Sequence, residues 1–324
     1  MTRYLVRRLV LALATLLALS FGSFVAFGTS FDPTYQFNLC GSEECKQQRA
    51  QIVAEYHLHD PILSRYWRWL SGFFHHGFGT STGGFPIWPG LEHALESTAE
   101  LLAAALVLTL LASLAIGIVS ALRPRSGVDV VLRFAGYLSW SIPTVLIAVL
   151  LRRWLAPTGI IGGSVAPIQV QGITVLSDGP AGFTGWLARF TLPAVAVALG
   201  LTGLYSRYLR SALAVALAQP HVVVARGKGL PERVVVLRHA LRTALVPLVS
   251  LVSLDVGAAV GATLVADVVF PTRGLGTMLL GTLKSDDPFE LTAILVCLGA
   301  TVLAATFLGD LAIAALDPRT RSAE

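Results

Sequence analysis

Residues 219–247 read Q-P-H-V-V-V-A-R-G-K-G-L-P-E-R-V-V-V-L-R-H-A-L-R-T-A-L-V-P, and this stretch decides what kind of chain carries it. Arg226, Lys228, Arg233, Arg238 and Arg242 stand here against a single acid, Glu232. Long apolar runs lie on either side. A polar insert between two apolar runs reads as a contact surface held against a membrane face. Its grammar predicts two short helices. Val222 to Lys228 makes about two turns, and Gly229 suits the left-handed residue that closes a helix. Pro231 sits where a first-turn proline costs little, because that N–H has no partner anyway. Glu232 then places negative charge at the positive end of the second helix. A plainer alternative is an amphipathic loop that snorkels its arginines into lipid headgroups.

Outward from this insert the chain is greasy. It is 54% hydrophobic and 13% charged, with a mean hydropathy of +0.70. Soluble domains carry roughly 25% charged residues, so this is an integral membrane protein. The net charge of +5 is no nucleic-acid signal, because the basic residues fall beside apolar runs. Crossing ~30 Å of hydrocarbon takes about 20 apolar residues. Such runs occur at 5–27, 98–122, 132–155, 190–217, 244–270 and 289–316. The first is longer than a signal-peptide core and lacks a convincing cleavage site, so it reads as a retained helix. The expected organisation is an N-terminal helix (1–27), an extracytoplasmic loop region (28–97), a helical core (98–316) holding the basic loop 219–243, and a tail (317–324).

Arginines and lysines fall in alternate connections: Arg3, Arg7 and Arg8; Arg123, Arg125 and Arg133; the basic insert; and Arg319 with Arg321. The positive-inside bias then places both termini in the cytoplasm. Arg152 and Arg153 are the exception, assigned to the outer end of the third span with side chains snorkelling outward.

The basic insert also carries a resemblance. A-R-G-K-G-L at 225–230 followed by R-H-A-L-R at 238–242 resembles the cytoplasmic loop of binding-protein-dependent ABC importers, with the B-type permease of oligopeptide and dipeptide systems as the nearest match. The general loop pattern is Glu-Ala-Ala, three residues, Gly, nine residues, then Ile-x-Leu-Pro. Ala225 matches the second alanine and Gly229 the glycine. Val223 and Val224 replace Glu-Ala, and Arg242 replaces the proline. Other pieces agree. E-S-T-A-E-L-L at 96–102 follows G-F-G-T-S at 77–81, where Phe78 replaces the family's acid. Asp267 with V-F-P-T-R-G-L-G at 269–276 resembles E-x-V-F-x-x-P-G-L-G. K-S-D-D-P at 284–288 resembles the linker before the last helix, and Asp310 with L-D-P-R at 316–319 resembles the family's ending.

The resemblance implies an all-α membrane protein of type I ABC importer permease fold, with about six transmembrane helices, in a bacterial inner membrane. It implies a coupling surface at Ala225, Arg226, Gly227, Lys228, Gly229, Leu230, Arg238 and His239 that docks into a groove on an ATPase. The implied partners are a homologous second permease, two ATPase domains on the cytoplasmic face, an external peptide-binding protein and membrane lipids, with no nucleic acid. ATP and Mg would be bound by the ATPases. This chain has no G-x-x-x-x-G-K-[ST] phosphate loop, so it is read as having no catalytic residues and no cofactor of its own. Importers of nickel or glutathione share these motifs and stay open as alternatives. A membrane-embedded lipid-linked transferase is the rival from another class. It needs clustered carboxylates or histidines at one membrane level.

Within the spans, Ser141 and Pro143 lie in a S-I-P sequence, read either as a packing kink or as part of a translocation pathway. Gly257 and Gly261 sit in a small-residue stretch suited to close helix approach. Asp255, deep in the same apolar run, should face a cavity or a partner, whether as part of the pathway or in a structural hydrogen bond. Leu192-Pro193-Ala194 reads as a helix start. In the external region Cys40 and Cys45 either bridge or remain thiols, and Asp60-Pro61 should cap a helix through Trp67 and Trp69. His57, His59, His75 and His76 read as ordinary loop histidines rather than metal ligands.

Overall fold

The computed structural model describes residues 2–34, 42–155, 167–170, 173–176, 182–270 and 272–316, with side chains left out at a few positions within these. Helices dominate: α1 (Thr2–Ser30), α2 (Glu43–Glu55), α3 (Ile62–His76), α4 (Ile87–Leu122), α5 (Gly127–Ser141), α6 (Thr144–Leu155), α7 (Phe183–Leu217), α8 (Pro220–Gly227), α9 (Glu232–Val269), α10 (Leu275–Ser285) and α11 (Pro288–Leu316). The all-α expectation holds, with one small addition in a connection. A short antiparallel hairpin, β1 (Pro167–Val170) and β2 (Ile173–Leu176), pairs Pro167 with Leu176 in the connection between α6 and α7. Among the described residues five helices are long and apolar enough to span a membrane, and six when α5 and α6 count as one bent span.

That pair corrects the expectation of one kinked helix over 132–155. The two axes meet at 100°. Pro143 has no N–H to donate and pushes the residue before it out of helical geometry. Ile142 accordingly sits at φ −85°, ψ 124°, and the helix ends. Pro193, expected to open a helix, lies well inside α7 instead, because that helix begins at Phe183. Apolar packing on both sides holds it through a residue that would end a helix in water.

Residues Met1–Thr98 with Arg273–Leu303 form one compact unit, and Ala99–Thr272 with Ala304–Glu324 the other. The first unit is held by aromatic rings. Tyr66 packs edge-on against Phe21 at 5.1 Å and Phe24 at 5.6 Å, and its hydroxyl is 2.8 Å from Ser20 Oγ. Phe78 is buried and left-handed at φ 69°. It lies 4.6 Å from Phe73 and 5.6 Å from Trp69, and this packing offsets the strain of a bulky side chain at positive φ. Asp60 does not cap α3. Its carboxylate accepts from the Arg68 guanidinium instead. Asp287 caps α11, accepting at Oδ1 from the N–H groups of Phe289 (3.0 Å) and Glu290 (3.1 Å), and at Oδ2 from Thr82 N–H. In the turn before α10, Arg273 takes the left-handed conformation, at φ 61°.

In the second unit α7 is the central element, packed against α5, α6 and α9. Gly136 of α5 and Gly203 of α7 meet backbone to backbone. A Cβ on Gly203 would stand 2.2 Å from the Gly136 carbonyl oxygen. Beside this contact Arg207 lies over the rings of Tyr137 (4.5 Å) and Trp140 (5.1 Å), a cation–π stack on the same two helices.

Candidate functional site

The basic insert is a shaped surface in the second unit. Gln219 precedes α8, and Pro220 occupies its first turn at no cost in hydrogen bonds. The helix closes through Lys228 and then Gly229 at φ 78°, as its sequence predicted. Leu230 and Pro231 lead directly into α9. Here the structure corrects the expectation of a second short helix. From Glu232 the helix runs without interruption to Val269, passing through a six-residue π segment, Val235–Ala240. The insert is therefore one end of a helix long and apolar enough to span a membrane, joined to one short helix.

Two kinds of interaction hold α8 in place, and their magnitudes differ. Val222 and Ala225 turn inward. Val222 joins a buried cluster with Val235, Ala240, Tyr205, Leu209, Leu213 and Ala216, which roots the insert on α7 and α9. Fully burying a valine stabilises by roughly 2 kcal/mol. Arg226 Nε and Nη2 donate to Glu232 Oε2 and Oε1 at 3.0 and 2.6 Å, bridging the Gly229 turn. Both side chains are about half exposed, and pairs of this kind give about 0–1 kcal/mol. Burial, more than the ion pair, fixes the block. The Glu232 carboxylate still raises the Arg226 pKa above its ordinary value.

What remains outside is mixed in character. Val223, Val224, Leu230 and Leu237 are exposed apolar side chains, and Arg226, Gly227, Lys228, Arg233 and Arg238 lie exposed among them, with His239 half-buried. A surface of this kind suits a partner with an apolar groove and an acidic rim. The eight candidate coupling residues thus lie on α8, on the start of α9 and in the turn that joins them.

The pathway candidates are not gathered in the same way. Ser141 Oγ is exposed and donates back to the Tyr137 carbonyl at 2.7 Å, beside Pro143 at the break between α5 and α6. Asp255 accepts from Tyr205 Oη at 3.0 Å. Gly257 and Gly261 are exposed on α9, and a Cβ on Gly261 would meet nothing within 4 Å. No described hydrogen bond joins Ser141 to Asp255. Asp267 is buried and accepts from Thr272 Oγ1. Among the described residues no three His, Cys, Asp or Glu gather as metal ligands. Of the candidate disulfide, Cys40 lies outside the described residues, and so does the D-P-R tail at 317–319. Cys297 is a buried free thiol.

One cluster was not anticipated from sequence. Asp129, fully buried, accepts from Arg210 Nε at 2.9 Å and Nη2 at 3.0 Å, from Arg125 N–H at 3.0 Å, and from Ser120 Oγ. Ser126 caps the same helix, accepting from Asp129 N–H at 3.2 Å. S-G-V-D at 126–129 was a legible capping pattern. Arg210, a cation inside an apolar run, was the second available signal.

Comparison with known proteins places the chain among transport components. The family model for the "binding-protein-dependent transport system inner membrane component" matches residues 113–322, and its N-terminal companion matches 1–115. The oligopeptide transport system permease protein OppB of Mycobacterium tuberculosis (strain ATCC 25618 / H37Rv) is 32% identical over 342 residues, covering 99% of each chain. Two Bacillus subtilis (strain 168) proteins are also similar over nearly their full lengths. The oligopeptide permease AppB is 27% identical, covering 98% of this chain and 99% of its own. The dipeptide permease DppB is 26% identical, covering 99% and 98%. Among solved structures, one of the MetNI methionine ABC transporter in an inward-facing conformation aligns with a TM-score of 0.53 at 18% identity. It covers 71% of this chain and 98% of that one, a likeness of fold alone.

Proposed function

Since this chain belongs to the family of inner-membrane components of binding-protein-dependent transport systems, we propose that it is the permease subunit of an ATP-driven importer of oligopeptides or dipeptides. It is a multi-pass membrane protein. The observation that carries the substrate class is the near-full-length similarity to permeases named for oligopeptide and dipeptide transport.

The chain would do no chemistry itself. Hydrolysis of ATP, with its Mg, would belong to two partner ATPase domains on the cytoplasmic side. A homologous second permease would complete the pathway, because one bundle of about six spans cannot enclose a peptide. An external binding protein would deliver the substrate, and both termini would face the cytoplasm.

The mechanism follows from how the insert is built. Closure of the ATPases would push on the exposed face of α8, at Val223, Val224, Arg226 and Lys228. Val222 is buried against α7 and α9, so the push cannot be absorbed locally and must move those helices. Gly229 permits the left-handed turn that sets the angle between α8 and α9. Asp255, Gly257 and Gly261 on α9, with Ser141 and Pro143 at the α5–α6 break, would then change their exposure to the pathway.

The test is reconstitution of this chain with its second permease, ATPases and binding protein in liposomes. ATP-dependent uptake of labelled di- and oligopeptides is expected. Uptake of nickel or glutathione with no peptide uptake would replace the substrate class, and turnover of a lipid-linked substrate by this chain alone would overturn the reading.

A further inference from the structure

Within the first unit a cavity of about 310 Å3 lies between α2, α3 and the turn at Phe78–Thr80. Its walls are aromatic. Tyr56 stacks on Phe289 with centroids 4.6 Å apart, and Trp69 faces Phe78 at 5.6 Å. Two nitrogen donors on residues lining it, Trp69 Nε1 and Arg65 Nε, are buried with no hydrogen-bond partner among the described residues. The Trp69 side chain is more than nine-tenths buried, at 8% exposure. Buried donors left unmet are uncommon and costly, more so on a charged group. Arg68, also on the wall, is already engaged by Asp60. Arg65 thus brings a positive charge to a cavity whose aromatic wall also carries His57, Arg68 and Thr80; among the described residues no carboxylate is hydrogen-bonded to it, and burial lowers its pKa.

We propose that this cavity is a binding site for a small carboxylate borne on an apolar or aromatic body. Arg65 Nε–H and Trp69 Nε1–H would each donate to a carboxylate oxygen, and Tyr56, Phe78 and Phe289 would hold the apolar part. A phospholipid phosphate offers similar oxygens, but the helix faces favour a soluble ligand. Leu63 and Trp67, 65% and 69% exposed, are two residues out of phase with Arg65 and Trp69 and so lie on the opposite side of α3. The apolar face suited to a bilayer is therefore the one turned away from the cavity. The site needs only the fold of the first unit, so it stands or falls independently of the peptide-import reading.

The test uses the full chain in phosphatidylcholine nanodiscs, titrated calorimetrically with N-acetylphenylalanine and with its uncharged amide. The acid should bind saturably and the amide about tenfold more weakly, the difference expected for loss of a charge-assisted hydrogen bond. Arg65→Gln should weaken acid binding by about tenfold, and Trp69→Phe, which keeps a ring but removes the donor, by about threefold. Melting temperatures of both variants are recorded alongside. If Arg65→Gln fails to fold, Trp69→Phe decides. Equal binding of acid and amide, absence of saturable binding, or unchanged affinity in a folded variant would overturn the proposal. In nanodiscs containing phosphatidylglycerol the affinity should be the same. Competition by that lipid that disappears in Arg65→Gln would make a headgroup phosphate the ligand, and would overturn it too.

Discussion

Arg210 on α7 meets Asp129 on α5 in a two-pronged pair, Nε to Oδ1 at 2.9 Å and Nη2 to Oδ2 at 3.0 Å. The carboxylate is fully buried, with Ser120 of α4 on the same oxygen as Arg210 Nε. Three helices of the second unit therefore share one charge. Removing one partner of a buried pair leaves an uncompensated charge and costs about 3–5 kcal/mol, whereas removing both with apolar replacements is often nearly neutral. Asp129→Leu and Arg210→Leu should each lower the melting temperature of the purified chain sharply, and the double variant should recover most of the loss. Arg210→Lys should behave like a partial loss, since an ammonium cannot make the fork. Simple additivity of the two single effects would show the pair to be uncoupled.

The α5–α7 crossing should be intolerant of a single methyl. Gly203→Ala puts a Cβ 2.2 Å from the Gly136 carbonyl oxygen, which is backbone and cannot turn aside. Separating the helices loses packing on both, at about 1–3 kcal/mol or more. Gly261→Ala meets open space and should be near neutral in the chain alone. Comparing the melting curves of the two variants tests the contrast. If the assembled importer, but not the isolated chain, is weakened by Gly261→Ala, that glycine packs against a partner subunit.

Gly229→Val acts by conformation instead of by collision. Nothing lies within 4 Å of its Cβ position, but φ is 78°. A β-branched residue there costs about 1–2 kcal/mol and favours a different turn. Insertion and yield should be normal, while peptide uptake falls and ATPase activity of the assembled complex no longer depends on it. Wild-type uptake in this variant would count against a coupling role for the turn.

The Arg226–Glu232 bridge spans that turn on its exposed side. As an exposed pair it contributes about 0–1 kcal/mol, so Glu232→Ala should hardly alter stability. Coupling should suffer more than stability, because α8 loses a tie to α9. The exchange Arg226→Glu with Glu232→Arg should recover the tie but reverse the charge shown to the partner. Rescue of uptake by the exchange assigns Arg226 an internal role, and failure assigns it to the contact with the ATPase.

Asp60 gives a pH signature in the first unit. The Arg68 guanidinium hydrogen-bonded to it holds its carboxyl below the ordinary value of 3.8. A depressed folded-state pKa means that the contribution is present above 3.8 and is lost as pH falls below it, through the folded-state value. Carbon NMR of labelled aspartates should show the Asp60 carboxyl titrating below 3.8. Arg68→Ala should move that titration upward.

How much of this was legible beforehand depends on the range of the interaction. The spans were legible because every twenty-residue apolar run obeys the same transfer energetics wherever it sits. The helix over 222–228 and its left-handed stop at Gly229 were legible because capping and positive φ are local. Pro143 was legible as a disturbance but not as a 100° break, since the angle depends on how α6 leans on α7 and α9. Pro193 misled for the complementary reason: packing carried a helix through a residue that would end it in water.

The sequence by itself determined that this is a membrane-spanning helical chain with a basic, locally ordered insert before its fifth apolar run, because hydropathy, capping and charge are read within a few turns of chain. Tertiary structure alone decided that the insert is continuous with α9, that Val222 anchors it on α7, that Gly203 must lack a side chain, and that Asp129 and Arg210, 81 positions apart, share one buried charge. Those facts rest on which surfaces meet when helices pack, and close packing joins residues whose separation along the chain carries no signal of their contact.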